Sequence, residues 1–200
     1  GVLVDCTQNY LDVCCGGQWP GNFRKHFPLN NLQEMKSHRL QAWKDSHESW
    51  QMGCDSCRQR EHEQGISSRQ KFNKIVDVAQ DPQDTLIQQA TIRTGSICNL
   101  KCTMCGPGLS TKWASFVNNS NFDQEFVQKY TLTPVPDKAS QSELVSYVKE
   151  HVVNENLKRI EFTGGEPLYN NSTYEIIEHM LTTGHFKKLQ SFKVQTNGTT

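Results

Sequence analysis

Cys98, Cys102 and Cys105 stand in the run Ser96-Ile97-Cys98-Asn99-Leu100-Lys101-Cys102-Thr103-Met104-Cys105, so three thiols fall on one short loop with the spacing CxxxCxxC. Three thiolates on a tight loop can hold three corners of an iron–sulfur cube, whereas a ferredoxin-type cluster takes four cysteines. The fourth iron is then left open, and an open position is what separates catalytic metal sites from closed structural ones. The same cysteines are also compatible with part of a zinc site, for which CxxC pairs are the usual unit.

Downstream, Lys158-Arg159-Ile160-Glu161-Phe162 has the β-branched and aromatic content of a short strand and leads into Gly164-Gly165-Glu166-Pro167. Two glycines let the backbone approach a ligand that a Cβ would keep away. Phe192-Lys193-Val194-Gln195-Thr196-Asn197-Gly198-Thr199 is also strand-like and ends in a Thr-Asn-Gly turn, which can equally be a plain reversal of the chain.

The cysteine loop followed by GGEP resembles the radical S-adenosylmethionine (radical SAM) enzymes. The resemblance implies a 4Fe-4S cluster on Cys98, Cys102 and Cys105 whose open iron is chelated by the amino and carboxylate groups of SAM. An electron from the cluster then cleaves a carbon–sulfur bond, and the 5′-deoxyadenosyl radical released takes a hydrogen atom from substrate. It further implies that Gly164, Gly165, Glu166 and Pro167 meet the SAM methionine amino group, with Glu166 as carboxylate partner of that ammonium. Thr196 and Asn197, at the end of what looks like the third barrel strand, are implied contacts to the SAM carboxylate or ribose. Most members carry an aromatic residue before the third cysteine, where it packs on adenine. This chain has Met104, whose polarizable thioether can lie against a ring face.

The elements that must position these residues follow from periodicity. Thr85 to Arg93 is expected to be the first barrel strand, delivering the cysteines at its C-terminal end, where β/α barrels build their sites. Ser140-Gln141-Ser142-Glu143 has the form of a capping box, followed by Leu144, Val145, Val148 and Val152 at helical spacing. Ser172-Thr173-Tyr174-Glu175 is a second such box, followed by Ile176, Ile177, Met180 and Leu181, with Gly184 as the C-terminal stop. The order strand, helix, strand, helix, strand predicts an α/β fold with a parallel sheet and crossover helices. Asn118 to Lys138, with Pro134 and Pro136, is expected to be an irregular insertion that either covers substrate or is only anchored to the barrel by Phe116, Phe122, Phe126 and Tyr130.

The other five cysteines lie towards the N-terminus. Cys54-Asp55-Ser56-Cys57 is a CxxC at the start of a helix, and Cys14-Cys15 ends a hairpin-like run, Tyr10-Leu11-Asp12-Val13. With the stretch from Leu29 through Trp43 and the run from Cys57 to Gln70, they resemble the twitch domain, the shortened relative of the SPASM domain, which holds an auxiliary 4Fe-4S cluster. The resemblance implies Cys14, Cys54 and Cys57 as auxiliary ligands, with Cys6 and Cys15 as alternatives for the remaining position. A structural zinc stays open there, and so does a buried, unligated role for Cys6. The domain plan is thus a small Cys-rich α+β domain over residues 1–75, a linker over 76–84, and the N-terminal half of a partial TIM-like barrel of the radical SAM type over 85–200. At roughly 30 residues per β/α unit, a six-unit partial barrel needs about 180 and the stretch from Leu86 provides about three units. The chain is therefore expected to be a fragment of a longer oxidoreductase, which as it stands would be inactive or unstable along its open edge strand.

Net charge is +0, with 21 basic and 21 acidic residues, so electrostatics give no argument for nucleic acid or a membrane surface. No apolar run approaches a membrane span and no signal peptide is visible, and eight cysteines in tight groups fit a reducing cytoplasm better than disulfides. The resemblance implies a peptide or protein as first guess at substrate, and an electron donor such as a flavodoxin or ferredoxin. A small-molecule substrate is the alternative within the family, and a zinc-stabilised binding module the alternative outside it. Arg93, Lys101 and Trp113 flank the cysteine loop, but no residue is assigned a catalytic acid or base role.

Overall fold

A computed structural model of the chain describes residues 2–5, 10–12, 27–28, 55–63, 65–67, 70–71, 74, 87–121, 123, 125 and 138–199. Six strands form one sheet: β1 (Val2–Asp5), β2 (Tyr10–Asp12), β3 (Phe27–Pro28), β4 (Gln89–Arg93), β5 (Arg159–Thr163) and β6 (Ser191–Val194), in the spatial order β3-β2-β1-β4-β5-β6. β4, β5 and β6 are parallel, with Ile92 opposite Phe162 and Phe162 opposite Val194. β1 and β2 pair antiparallel, with Val4 opposite Leu11, and β1 runs parallel to β4 with Val2 opposite Ala90, so the first strands continue the sheet of β4, β5 and β6.

Burial explains the strand patterns. Ala90 and Ile92 of β4 are fully buried and its polar residues Gln89 and Thr91 nearly so, as befits an interior parallel strand. β5 alternates, with Ile160 and Phe162 buried between half-exposed neighbours. Two helices cover this face: α3 (Lys138–Tyr147), which widens into a π turn over Val148–Val152, and α4 (Asn171–Thr182). The predicted stripe Leu144, Val145, Val148 and Val152 is buried throughout. On α4 the stripe holds at Ile176 and Met180, while Ile177 packs only partly and Leu181 is 57% exposed.

Both expected helix starts are displaced. Ser140 lies inside α3, which begins at Lys138, so it is not the cap. The cap of α4 is Asn170 rather than Ser172: its Oδ1 accepts from Ser172 N at 3.0 Å, while its Nδ2 donates to the carbonyl of Thr94. A residue that caps the helix and also ties it to the end of β4 outcompetes a local box, because asparagine and serine cap about equally well. Gly184, with φ 78°, ends α4 as predicted.

Two further helices matter to the cysteines: α1 (Asp55–Glu63) and α2 (Thr111–Asn118). No helix among the described residues is long and apolar enough to cross a membrane. The insertion expected over 118–138 lies largely outside the described residues, as do residues 75–86, which hold the start of the predicted first strand.

Candidate metal centre

The loop that leaves β4 is shaped by its grip on the first turn of α2. Ser110, 1% exposed, caps that helix by accepting from Trp113 N at 3.3 Å, and its hydroxyl donates to Leu100 O at 2.7 Å. Thr111 N donates to Ser96 O at 2.9 Å, and the Thr111 hydroxyl accepts from Cys98 N and donates to Cys98 O, both at 3.2 Å. Trp113 Nε1 donates to Cys102 O at 2.8 Å, and that same carbonyl accepts from Cys105 N at 3.0 Å. Five bonds from one helix end therefore fix the loop across positions 96 to 102. Lys101, in contrast, turns outward and sits 4.0 Å from the centre of the Phe116 ring.

The three thiols are half-exposed and unpaired by disulfides. Burial pushes the Cys105 thiol up, and the nearby Cys102 and Cys98 add to the rise because a third negative charge beside two others is disfavoured. The thiolate is the form that ligates a metal, and a cationic group beside a cysteine favours it. Among the described residues, no three His, Cys, Asp or Glu gather around one ion position. Three cysteines on one loop match the donor set of an iron–sulfur cube that keeps one iron open.

β5 delivers the second loop against the first. Gly165 N donates to Gly95 O at 2.7 Å and Glu166 N to Ile97 O at 2.6 Å, a short ladder that continues the sheet into the loops. A Cβ on Gly164, whose φ is 132°, would sit 2.4 Å from Gly95 O, and one on Gly165 would sit 2.3 Å from Ile97 O. The paired glycines therefore bring the backbone close to the cysteine loop, where the sequence suggested close approach to a ligand. Pro167 is buried at the start of a 3-10 turn, Pro167–Tyr169.

Glu166 is 1% exposed, and its carboxylate joins two loops. Oε1 accepts from Leu168 N at 3.1 Å, capping the 3-10 turn, and Oε2 accepts from Asn197 N at 2.7 Å on the turn after β6. From there the Asn197 side chain reaches the first loop, with Nδ2 2.9 Å from Asn99 Oδ1 and 3.7 Å from Cys98 Sγ. Tyr169 and Thr199 complete this bridge: Asn99 Nδ2 donates to Tyr169 Oη at 3.2 Å and to Thr199 Oγ1 at 2.9 Å. Thr196 stays local, accepting from Gly198 N at 3.0 Å.

The structure thus brings together Cys98, Cys102, Cys105, Gly164, Gly165, Glu166 and Asn197 on the loops after three neighbouring strands, and leaves Met104 90% exposed on the rim. Asn99, Ser110, Thr111, Asn170 and Tyr169 also tie these loops together but are not legible as such in the sequence, since each acts through hydrogen bonds to partners ten or more residues away. The signal available was positional: Asn99 lies within the CxxxCxxC loop, and Ser110 and Thr111 open the helix that follows it. Of the expected auxiliary ligands, Cys57 is half-buried in the first turn of α1, and Cys6, Cys14, Cys15 and Cys54 lie outside the described residues.

A family model described as the Radical SAM superfamily matches residues 92–200, more than half of the chain and the whole of the three-loop site. No curated protein and no solved structure matches the chain.

Proposed function

The chain belongs to the radical SAM superfamily, and from that premise we propose that Cys98, Cys102 and Cys105 hold its 4Fe-4S cluster beside a SAM site formed by the β5 and β6 loops. When bound, the cluster and SAM together supply a 5′-deoxyadenosyl radical that removes a hydrogen atom from substrate. The chain's own residues supply position and shielding. Ser110, Thr111 and Trp113 hold the cysteine loop through its backbone and make none of these bonds to the thiols. Gly164 and Gly165 keep the second loop flush with the first, and Glu166 orients the Asn197 turn. In this reading Gly164, Gly165, Glu166 and Pro167 line the methionine end of SAM, Thr196 and Asn197 its carboxylate or ribose, and Met104 its adenine.

The observation that carries the reading is the convergence of the loops after β4, β5 and β6 on the Cys98 end of the cysteine loop. Open α/β sheets bind ligands at that edge. The substrate is a peptide or protein, the electron comes from a flavodoxin- or ferredoxin-type donor, and a second cluster rests on Cys14, Cys54 and Cys57 with Cys6 or Cys15. The substrate class and the second cluster rest on the likeness of the N-terminal segment to twitch domains, and the donor on the need of the radical SAM reaction for an electron.

The test is the electron paramagnetic resonance spectrum of the anaerobically reconstituted, reduced chain with and without SAM, beside a variant with Cys98, Cys102 and Cys105 changed to Ala. A 4Fe-4S signal that shifts with SAM and vanishes in the variant is expected, and a signal surviving in the variant reports the auxiliary cluster. A colourless, zinc-containing protein indifferent to SAM overturns the reading.

A further inference from the structure

We infer that Asn197 raises the reduction potential of the cluster through a hydrogen bond to the Cys98 sulfur, an inference that rests on the iron–sulfur reading above. The orientation of the Asn197 amide follows from counting its partners. Its Oδ1 accepts from Thr199 N at 3.0 Å and from the Thr199 hydroxyl at 2.8 Å, so the opposite end must be the NH2 group. One of the two amide hydrogens goes to Asn99 Oδ1 at 2.9 Å. That oxygen is itself fixed as an acceptor, because Asn99 Nδ2 donates to Tyr169 Oη and Thr199 Oγ1. The second hydrogen is left for Cys98 Sγ at 3.7 Å. The backbone of the turn is held in turn by Glu166, which is buried and accepts from Asn197 N.

Cys98 differs in this from its two companions. Both hydrogen bonds that the described residues make to a cysteine sulfur end on it, from Asn197 Nδ2 and from Leu100 N at 3.4 Å. Reduction adds negative charge to a cluster and its sulfurs, so a donor aimed at a ligating sulfur stabilises the reduced form more than the oxidised one. Leu100 contributes through its backbone. Asn197 contributes through a side chain on another strand's loop, which couples the potential to the seating of the β6 turn.

The experiment is a one-electron redox titration of the reconstituted full chain, monitored by electron paramagnetic resonance without SAM and at equal iron content. Wild type is compared with Asn197→Leu, Asn197→Asp and Thr199→Val. Losing the donor in Asn197→Leu is expected to lower the equilibrium constant for reduction two- to tenfold, tenfold being about 59 mV for one electron. Asn197→Asp, which keeps the size and adds a negative charge, lowers it at least as far and carries the test if the leucine variant loads no iron. Thr199→Val disturbs the bridge but keeps the donor, and stays within twofold of wild type. Unchanged potentials in both Asn197 variants, with weaker SAM binding, overturn the inference and make Asn197 a SAM contact alone. A wild-type chain with no SAM-responsive cluster overturns the functional reading itself, before any variant is compared.

Discussion

Two layers meet on β4 and β5 and are held by different forces. Beneath α3 and α4, Ile92, Ile160 and Phe162 are fully buried against Leu144, Val148, Ile176 and Met180. At the C-terminal ends of the same strands the buried residues are polar, among them Thr94, Ser110, Glu166, Asn170 and Thr173. Each of these is hydrogen-bonded to a residue on another loop or helix, including Thr173 Oγ1 to Thr94 Oγ1 at 3.3 Å. Apolar contact is non-directional and accepts many volume-conserving exchanges, whereas a buried polar bond is satisfied in one geometry and costly when left unmade. The first layer therefore sets whether the chain folds, and the second sets where three thiols stand.

The comparison is broken most forcefully from the apolar side. Phe162, centred in the core and 6.0 Å from the Phe192 ring, is expected to cost about 3–5 kcal/mol as Phe162→Ala, read by denaturant unfolding. Iron loading of the molecules that remain folded should persist. Loss of loading at a denaturant-free temperature where circular dichroism still reports a folded chain would show that the layers do not act separately.

Gly165→Ala attacks the polar layer by steric means. Its methyl would meet the Ile97 carbonyl at 2.3 Å, and that carbonyl sits on the cysteine loop itself. Overpacking of this kind costs about 1–3 kcal/mol, less than the core cavity, yet iron per chain is expected to fall by most of its value. A variant that loads iron as wild type does would mean that the cysteine loop tolerates displacement.

Glu166→Gln keeps the volume but turns one acceptor into a donor, which must face either Leu168 N or Asn197 N. A buried unmade bond costs about 1–3 kcal/mol, and the expected sign is weaker SAM response with the cluster still present. Full SAM affinity in this variant would separate Glu166 from the site.

How far this division was legible follows from what each layer depends on. The core on α3 was read from spacing alone, because Leu144, Val145, Val148 and Val152 repeat with the helix and need no distant partner. Leu181 fits the same period and is exposed, since α4 ends at Thr182 and the stripe outruns the surface that covers it. At the site, the cysteines and GGEP were visible because spacing itself carries the chemistry. The start of α4 departs from the local pattern for the opposite reason: Ser172 offers a good local box, but Asn170 gains a second bond to Thr94, far away in sequence. Likewise the glycines announced a close approach without saying what is approached.

The smallest effect tests the rule from its exception. Tyr147 lies in the apolar layer, 8% exposed, and its hydroxyl has no hydrogen-bond partner among the described residues. Burial pushes its ionisation up to about 12, since phenolate would be stranded there. Removing the hydroxyl in Tyr147→Phe is therefore expected to be neutral or to stabilise by up to about 1 kcal/mol, whereas deleting a paired group at the strand ends costs stability. The pH dependence has a definite sign. A group whose ionisation is raised on folding supports the fold fully below its unfolded value of about 10 and loses that support as pH climbs towards 12. Between those values wild type should weaken more steeply than the phenylalanine variant in parallel unfolding curves. Equal slopes, or a clear loss of stability in the variant at neutral pH, would mean that the hydroxyl is satisfied and that the apolar layer too relies on a directional bond.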